Sequence, residues 1–277
     1  MSAPRTSPPS PSPCAATAAA RVPLLQAREL CKRHGGIVAL DTFSVDIHEG
    51  EIFGLIGPNG AGKSTFFDIL TGFCAADSGG IVFDRVVLPT LQAHRSAARG
   101  IARTFQNIRL FGELSVLENV LIGGHRHDGG SVLGTLLGLG GARENERLAH
   151  ERALEWLRYV GIEHYAERPA ATLPYGDQRR LEIARALAAR PVLLALDEPA
   201  AGMNATESAA LGKLLRRIRA DGVTVLLVDH DVPLVMDLCD RIAVLDAGRK
   251  IAEGTPAAVQ RNPAVIDAYL GSAENGH

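Results

Sequence analysis

Gly57-Pro58-Asn59-Gly60-Ala61-Gly62-Lys63-Ser64-Thr65 stands between an apolar run, Ile52 to Ile56, and a segment, Ser64 to Gly72, with apolar residues at helical spacing. It matches in full the pattern of a glycine, four free positions, and Gly-Lys-Ser/Thr. In that pattern the glycines let consecutive backbone N–H groups turn inward around a polyphosphate. The lysine adds a mobile positive charge for the outer phosphates, and the next hydroxyl is a hard ligand suited to magnesium. The context supports this reading, because Phe67 and Leu70 face inward on the predicted helix and Gly72 stops it. The segment therefore predicts strand, phosphate-binding loop and helix.

Further along, Val192-Leu193-Leu194-Ala195-Leu196-Asp197-Glu198 is long enough for a buried strand and delivers two carboxylates at its end. Carboxylates also end strands for solubility. Beside a magnesium nucleotide site their roles separate, with Asp197 holding the metal and Glu198 polarising the attacking water.

Around these two anchors the chain alternates strand and helix. Leu24 to Leu30 and Thr42 to Ile47 read as β-type runs, with Gly50 as the turn before Ile52 to Ile56. From about Asn107 to Gly161 the signals are mainly helical, with a glycine-rich interruption at Gly123 to Gly141. Helix Gln178 to Ala189, strand Val192 to Leu196, helix Thr206 to Ala220 and strand Val223 to Val228 follow, which implies a largely parallel sheet with helical crossovers. Ile242 to Leu245 and Lys250 to Ala252 flank Asp246-Ala247-Gly248 as a β-hairpin.

Composition sets outer bounds. The 277 residues, 46% apolar and 5% aromatic, suffice for one large α/β domain. A formal charge of −2 gives no field that would draw the chain onto nucleic acid. Cys14, Cys31, Cys74 and Cys239 lack the close pairing of a zinc site or disulfide framework and read as thiols in a reducing cytosol. The apolar stretch Val132 to Gly140 is far short of the roughly 20 residues that cross a bilayer. Residues 1–22, rich in proline, serine and alanine, read as a disordered tail, followed by a single domain over 23–271 and a short tail at 272–277. His125-Arg126-His127-Asp128 is a metal-ligand pattern only if its glycine-rich loop folds back, and no further ligand lies nearby.

With both anchors in place, the chain resembles the ATP-binding subunits of ABC transporters from Leu24 to Gly271. The fold implied is an α/β P-loop NTPase, an ABC-type nucleotide-binding domain with an antiparallel β portion and a helical subdomain over about 107–189. ATP and Mg2+ are the implied cofactors. Gln106, in Arg103-Thr104-Phe105-Gln106-Asn107, matches the Q-loop glutamine that reaches toward magnesium and the attacking water. His230, in Val228-Asp229-His230-Asp231, matches the switch histidine at the γ-phosphate. Gly57 to Thr65 then bind the ATP phosphates, and Ser64, Gln106 and Asp197 surround the metal. Where the family usually places an aromatic ring against adenine, Lys32-Arg33-His34-Gly35-Gly36 offers His34.

The signature segment departs from the common Leu-Ser-Gly-Gly-Gln and reads Leu173-Pro174-Tyr175-Gly176-Asp177, followed by Gln178. Pro174 has no hydroxyl for a γ-phosphate, which leaves Gly176 and the helix N-terminus to make that contact. This variant, with Pro199 to Asn204, Phe105 to Phe111 and Ala268-Tyr269-Leu270, is similar to the LivG-type ATPase of branched-chain amino-acid importers. The family builds each ATP site from the P-loop of one subunit and the signature of another. The resemblance therefore implies a second ABC ATPase as partner, in a heterodimer or alternatively a homodimer. It also implies two integral-membrane permease subunits, an external solute-binding protein, and a cytoplasmic position on the inner face of a bacterial membrane. Urea or amide importers and lipopolysaccharide exporters share the core, although the exporter keeps the common serine and glycine. Soluble ABC ATPases of translation or DNA repair usually carry two cassettes or a long coiled coil, and neither occurs here.

Overall fold

The apolar alternation along the first two strands decides how the N-terminal part packs. In the computed structural model, which describes residues 22–125 and 142–274, β1 is Pro23–His34 and β2 is Ile37–His48. Both run further than their apolar alternation indicates, because the polar residues toward the hairpin tip remain paired. On β2, Phe43, Val45 and Ile47 are buried while the residues between them are not. β3, Ile52–Ile56, is buried at every position, as a central parallel strand must be. The phosphate loop leads into α1, Lys63–Leu70, on which Phe67 and Leu70 are buried as the spacing predicts.

Four elements between residues 78 and 103 are not legible in the sequence: β4 (Ser78–Phe83), β5 (Val86–Val87), α2 (Ala93–Ala98) and β6 (Ile101–Arg103). They are short, and their stability comes from neighbours and not from internal periodicity. The helical part also differs from expectation, because residues 107–114 form no helix. α3 begins at Val116 and runs to Gly124, opened by a capping box in which Ser115 accepts from the Glu118 N–H and Glu118 accepts from the Ser115 N–H. That Ser-x-x-Glu pattern is a start signal readable in the sequence. α4 is Ala142–Val160. α5 is Tyr175–Ala188, starting three residues before the predicted Gln178 because Pro174, with φ −55°, serves as N-cap and turns the chain into the helix. All of the His125 to Asp128 pattern except His125, and most of the glycine-rich interruption, fall outside the described residues.

The predicted alternation continues in β7 (Leu193–Asp197), α6 (Ala205–Ala220) and β8 (Thr224–Val228), and the predicted hairpin is β9 (Arg241–Asp246) and β10 (Arg249–Gly254); the helices α7 (Val232–Leu238), α8 (Pro256–Gln260) and α9 (Pro263–Glu274) were not read from the sequence. One sheet has the order β10-β9-β3-β8-β7-β6, parallel except for β10, and the other, antiparallel, has the order β2-β1-β4-β5. The pleat of the parallel sheet divides the core into two layers. Phe53, Leu55, Leu193, Ala195, Leu226 and Val228 face the antiparallel sheet and α1, where Phe43 and Phe66 meet edge to face at 5.0 Å. Ile52, Ile56, Leu194, Leu196, Val225 and Leu227 face the helices. α3, α4 and α5 pack on one another as a helical unit at the β6 side.

Candidate active site

Parallel strands β3, β7 and β8 bring their C-terminal ends to one edge of the sheet, with Leu55 and Asp197 both in register with Val228. The loop after β3 bends through positive φ at Gly57, Gly60 and Gly62. Two of these glycines are required by close approach. A Cβ at Gly57 would stand 1.9 Å from the Leu245 carbonyl oxygen, and one at Gly62 would stand 2.2 Å from that of Ala39. The β9–β10 turn holds the loop from outside, the Gly248 N–H donating to the Ala61 carbonyl at 3.0 Å. Inside, the buried Lys63 donates from Nζ to the carbonyls of Gly57 and Pro58 at 2.7 and 2.9 Å. Burial lowers the Lys63 pKa, and the nearby charges of Glu198 and Asp197 oppose that shift. No side chain caps α1, so its first N–H groups remain for an anion, and Ser64 lies exposed in that first turn.

Asp197 is buried at the end of β7, and its Oδ2 accepts from Arg103 Nη2 at 3.0 Å. Burial raises the Asp197 pKa, while the Arg103 hydrogen bond and charge pull it down. Arg103 also donates from Nη1 to Asp68 at 2.6 Å and to Thr71 at 3.0 Å, and its guanidinium lies over the rings of Phe67 and Phe105. It thereby ties β6, α1 and β7 together beneath the loop.

The residues matched to separate motifs converge on Glu198. Its carboxylate Oε2 accepts from Gln106 Nε2 at 2.8 Å and lies 3.5 Å from His230 Nδ1. Glu198 has φ 46°, a left-handed backbone unusual for this residue type, held by its N–H bond to the Val228 carbonyl at 2.7 Å. Asp229, buried beside it, accepts from the Ala200 N–H at 3.1 Å and the Asp231 N–H at 3.0 Å. It therefore links the segment after Glu198 to the turn that carries His230. Asn204 closes that segment as N-cap of α6, in a second capping box with Glu207.

The altered signature occupies the first turn of α5. Among the described residues no hydrogen bond or ion pair joins Leu173, Pro174, Tyr175, Gly176, Asp177 or Gln178 to the phosphate loop. Gln178 instead donates to the Leu173 carbonyl at 2.9 Å, and Asp177 pairs with Arg180 at 3.3 Å. The Tyr175 ring lies against Gly202, where a Cβ would stand 3.4 Å from ring Cε1, and its hydroxyl accepts from Arg179 at 3.2 Å. Arg179 is fully buried and donates to the carbonyls of Phe105 (2.7 Å) and Gln106, while its partner Glu182 accepts from the Phe105 N–H at 3.3 Å. The signature helix and the backbone of Gln106 are thus fastened together. His34 lies exposed at the tip of the β1–β2 hairpin, and no hydrogen bond, ion pair or ring contact joins it to the phosphate loop among the described residues.

Arg103, Arg179, Glu182 and Asp229 were not singled out from the sequence. The signal for Asp229 is its place between β8 and His230. The other three show a role only once helix and loop are packed.

Beside this site, between the α2–β6 region and the α3–α5 pair, lies a cleft of about 520 Å³ lined by Phe73, Phe105, Phe111, Ile122, Glu182 and Arg185. Phe73 and Phe111 are 55% and 50% exposed, unusually bare for phenylalanine.

The family described as "ABC transporter" matches residues 40–201, and the family described as "Branched-chain amino acid ATP-binding cassette transporter" matches residues 249–275. The chain is 44% identical over 252 residues to the high-affinity branched-chain amino acid transport ATP-binding protein BraF of Pseudomonas aeruginosa, covering 91% of this chain and 99% of that protein. It is 44% identical over the same shares to LivG of Salmonella typhimurium, and 35% identical to the lipopolysaccharide export system ATP-binding protein LptB of Escherichia coli, over 89% and 97% of the two chains. Among solved structures, the ADP conformation of an ATP-binding cassette of an ABC transporter superposes with a TM-score of 0.78 at 31% identity, covering 90% of this chain and 99% of that one. With the phosphate loop, the two carboxylates and the convergent glutamine and histidine on one sheet edge, these matches settle the family: the chain belongs to the ABC transporters, as one of their ATP-binding cassettes.

Proposed function

We propose that this chain binds and hydrolyses ATP to energise the uptake of branched-chain or related hydrophobic amino acids through separate permease subunits. The observation that carries the chemistry is the meeting of Gln106 and His230 on the Glu198 carboxylate. The substrate class rests on the 44% identity to BraF and LivG, above the 35% to the lipopolysaccharide export protein, together with the C-terminal family match. Reconstituting the chain with the permeases that co-purify with it and measuring leucine uptake, with urea as control, tests that class. Uptake of urea alone would overturn it.

In this reading Gly57, Pro58, Asn59, Gly60, Ala61, Gly62, Lys63, Ser64 and Thr65 enclose the phosphates with backbone N–H groups, a cation and hydroxyls. Glu198 accepts a proton from the attacking water, Gln106 positions that water, and His230 donates toward the γ-phosphate. Mg2+ fits the donor set, since the exposed Ser64 hydroxyl, the Asp197 oxygen that Arg103 leaves free and the side-chain amide oxygen of Gln106 are hard oxygen ligands. When bound, it neutralises phosphate charge. Adenine stacking at His34 belongs to this reading as its weakest contact.

The chain carries a single P-loop and a single signature, so two chains must combine to complete an ATP site. A second ABC ATPase, two permeases and an external solute-binding protein complete the transporter, with this chain on the cytoplasmic face of the membrane. No helix among the described residues is long and apolar enough to cross a membrane, in keeping with separate permeases. The bare phenylalanines of the cleft suit a permease helix. Replacing Phe111 by aspartate is expected to release the chain from its permeases while leaving ATP binding by the isolated subunit within about twofold. Co-purification and nucleotide titration check this, and an intact complex would place the docking surface elsewhere.

The signature yields a further expectation. A serine hydroxyl bonded to a charged phosphate contributes about 1.5–3 kcal/mol, so Pro174→Ser should raise turnover of the site that this signature completes. Serine is also a better N-cap than proline for α5. Changing Tyr175→Gly as well removes the hydroxyl bonded to Arg179, so the single and double variants separate the two effects. Turnover is measured in the mixed dimer with Lys63→Ala in this chain to silence its own P-loop. Unchanged turnover in a folded, assembled dimer would mean that Gly176 and the helix N-terminus already suffice.

A further inference from the structure

Where the last turns of α4 and α6 meet, a second cleft of about 300 Å³ is lined by Trp156, Tyr159, Leu187, Ile218 and Val223. Leu187 and Ile218 are buried, and the rings of Trp156 and Tyr159 meet edge to face at 5.5 Å. The exposed residues Glu155 and Asp221 complete the lining with two carboxylates. An apolar cavity with a few polar groups, at the lower end of the range of roughly 300–1,000 Å³, has the form of a site for one small molecule.

Tyr159 gathers two opposite charges beside this cleft. Its hydroxyl donates to Asp221 Oδ2 at 2.6 Å, and burial together with that bond raises its pKa, so it stays a donor. On its ring lies the Arg217 guanidinium, 3.9 Å from the centroid, with Nη1 donating to the Tyr159 carbonyl at 3.3 Å. Arg217 and Asp221 stand one turn apart at the end of α6, yet among the described residues no ion pair joins them. The neighbouring arginines are paired, Arg216 with Asp237 and Arg219 with Asp240, whereas among the described residues no carboxylate lies within ion-pair distance of Arg217. Nor does the second Asp221 oxygen or the Glu155 carboxylate accept a hydrogen bond among the described residues. Asp221 is the C-cap of α6, so its charge adds to the negative end of the helix dipole, a position that favours a cation.

An occupant of this cleft meets apolar walls, an acid at a helix end and a guanidinium without an acid. A wholly apolar molecule would strip water from both charges and replace it with nothing. An apolar amine answers Asp221 alone, and an apolar acid answers Arg217 alone. A zwitterion with an apolar side chain answers all three, through charge-assisted hydrogen bonds at both ends. We propose that this cleft binds a free α-amino acid with an apolar side chain. Its ammonium sits on Asp221 with Glu155 close by, its carboxylate on Arg217, and its side chain against Trp156, Leu187, Ile218 and Val223. Such a ligand bridges α4 of the helical unit and the turn between α6 and β8. The assignment stands on the cavity and its charges and does not rest on the transport reading.

Trp156 is the chain's only tryptophan, so its fluorescence reads this cleft directly. L-Leucine titrated into the full-length chain is expected to change that fluorescence saturably with a Kd below about 1 mM, and to raise the unfolding midpoint. Isoamylamine, which lacks the carboxylate, isocaproate, which lacks the ammonium, and glycine, which lacks the side chain, should each bind at least about tenfold more weakly. Arg217→Gln and Asp221→Asn should each lower leucine affinity by about tenfold or more while ATP affinity is unchanged. Should either variant not fold, the analogue series on the unaltered chain carries the same test. No saturable change in fluorescence or in calorimetry up to about 10 mM leucine would overturn the site. Isoamylamine or isocaproate binding within about twofold of leucine would overturn the zwitterion, and folded Arg217→Gln and Asp221→Asn chains that keep leucine affinity within about twofold would place the binding elsewhere. Leucine uptake by the assembled transporter is read separately, so a failure here is distinguishable from a failure of the transport reading.

Discussion

Glu198→Gln is expected to keep ATP affinity and slow turnover by about 10²-fold or more. The substitution preserves shape and burial, so the backbone bond of residue 198 to the Val228 carbonyl and the φ of 46° are undisturbed. Asp197 keeps its partner Arg103 at 3.0 Å, so the neighbouring carboxylate at the end of β7 is unchanged. What is lost is the proton acceptor: an amide in place of the carboxylate that Gln106 and His230 both approach cannot take a proton from water. Single-turnover hydrolysis on the assembled transporter, alongside nucleotide titration, separates binding from chemistry. Normal turnover would remove Glu198 from the reaction and leave its convergence with Gln106 and His230 without a chemical role.

Lys63→Ala should fail at the earlier step, with ATP affinity lower by about 10²-fold, since each hydrogen bond to a charged group contributes about 1.5–3 kcal/mol. Lys63 is 8% exposed and donates to the carbonyls of Gly57 and Pro58, so its loss removes both a positive charge inside the loop and the internal tie that shapes it. Asp197 and Glu198 then face the polyphosphate without an opposing cation, although both influence Lys63 in the intact site. A fluorescent nucleotide titration on the isolated chain measures the effect, with the unfolding midpoint confirming the fold. An affinity within twofold of the unaltered chain would exclude Lys63 from phosphate binding. The two substitutions therefore distinguish a binding residue from a chemical one on the same sheet edge.

Much of the site was legible because its parts are local in the chain. Gly57 to Thr65 form one turn whose glycines are demanded by backbone geometry, and the glycines at 57 and 62 meet neighbouring carbonyls where no side chain fits. Asp197 and Glu198 sit at the end of an apolar run that had to be a buried strand, and β7 ends at Asp197. The β9–β10 hairpin was readable from its turn, as were most of α6 and β8. Gln106 and His230, in contrast, carry no local signal of their own and entered only through resemblance.

Residue order and local spacing thus determined the phosphate loop, the carboxylate pair and the alternation that makes a parallel sheet, because each follows from the dihedral needs or burial of consecutive residues. Only the tertiary structure decided which distant side chains meet. It brought Gln106 and His230 to Glu198 across 92 positions of chain in the first case, placed Arg103 between Asp68 and Asp197, and fastened the signature helix to the Q-loop backbone through Arg179 and Glu182. The physical reason is the same throughout: a buried charge must be satisfied, and the chain alone does not say which folded neighbour, or which partner, will satisfy it.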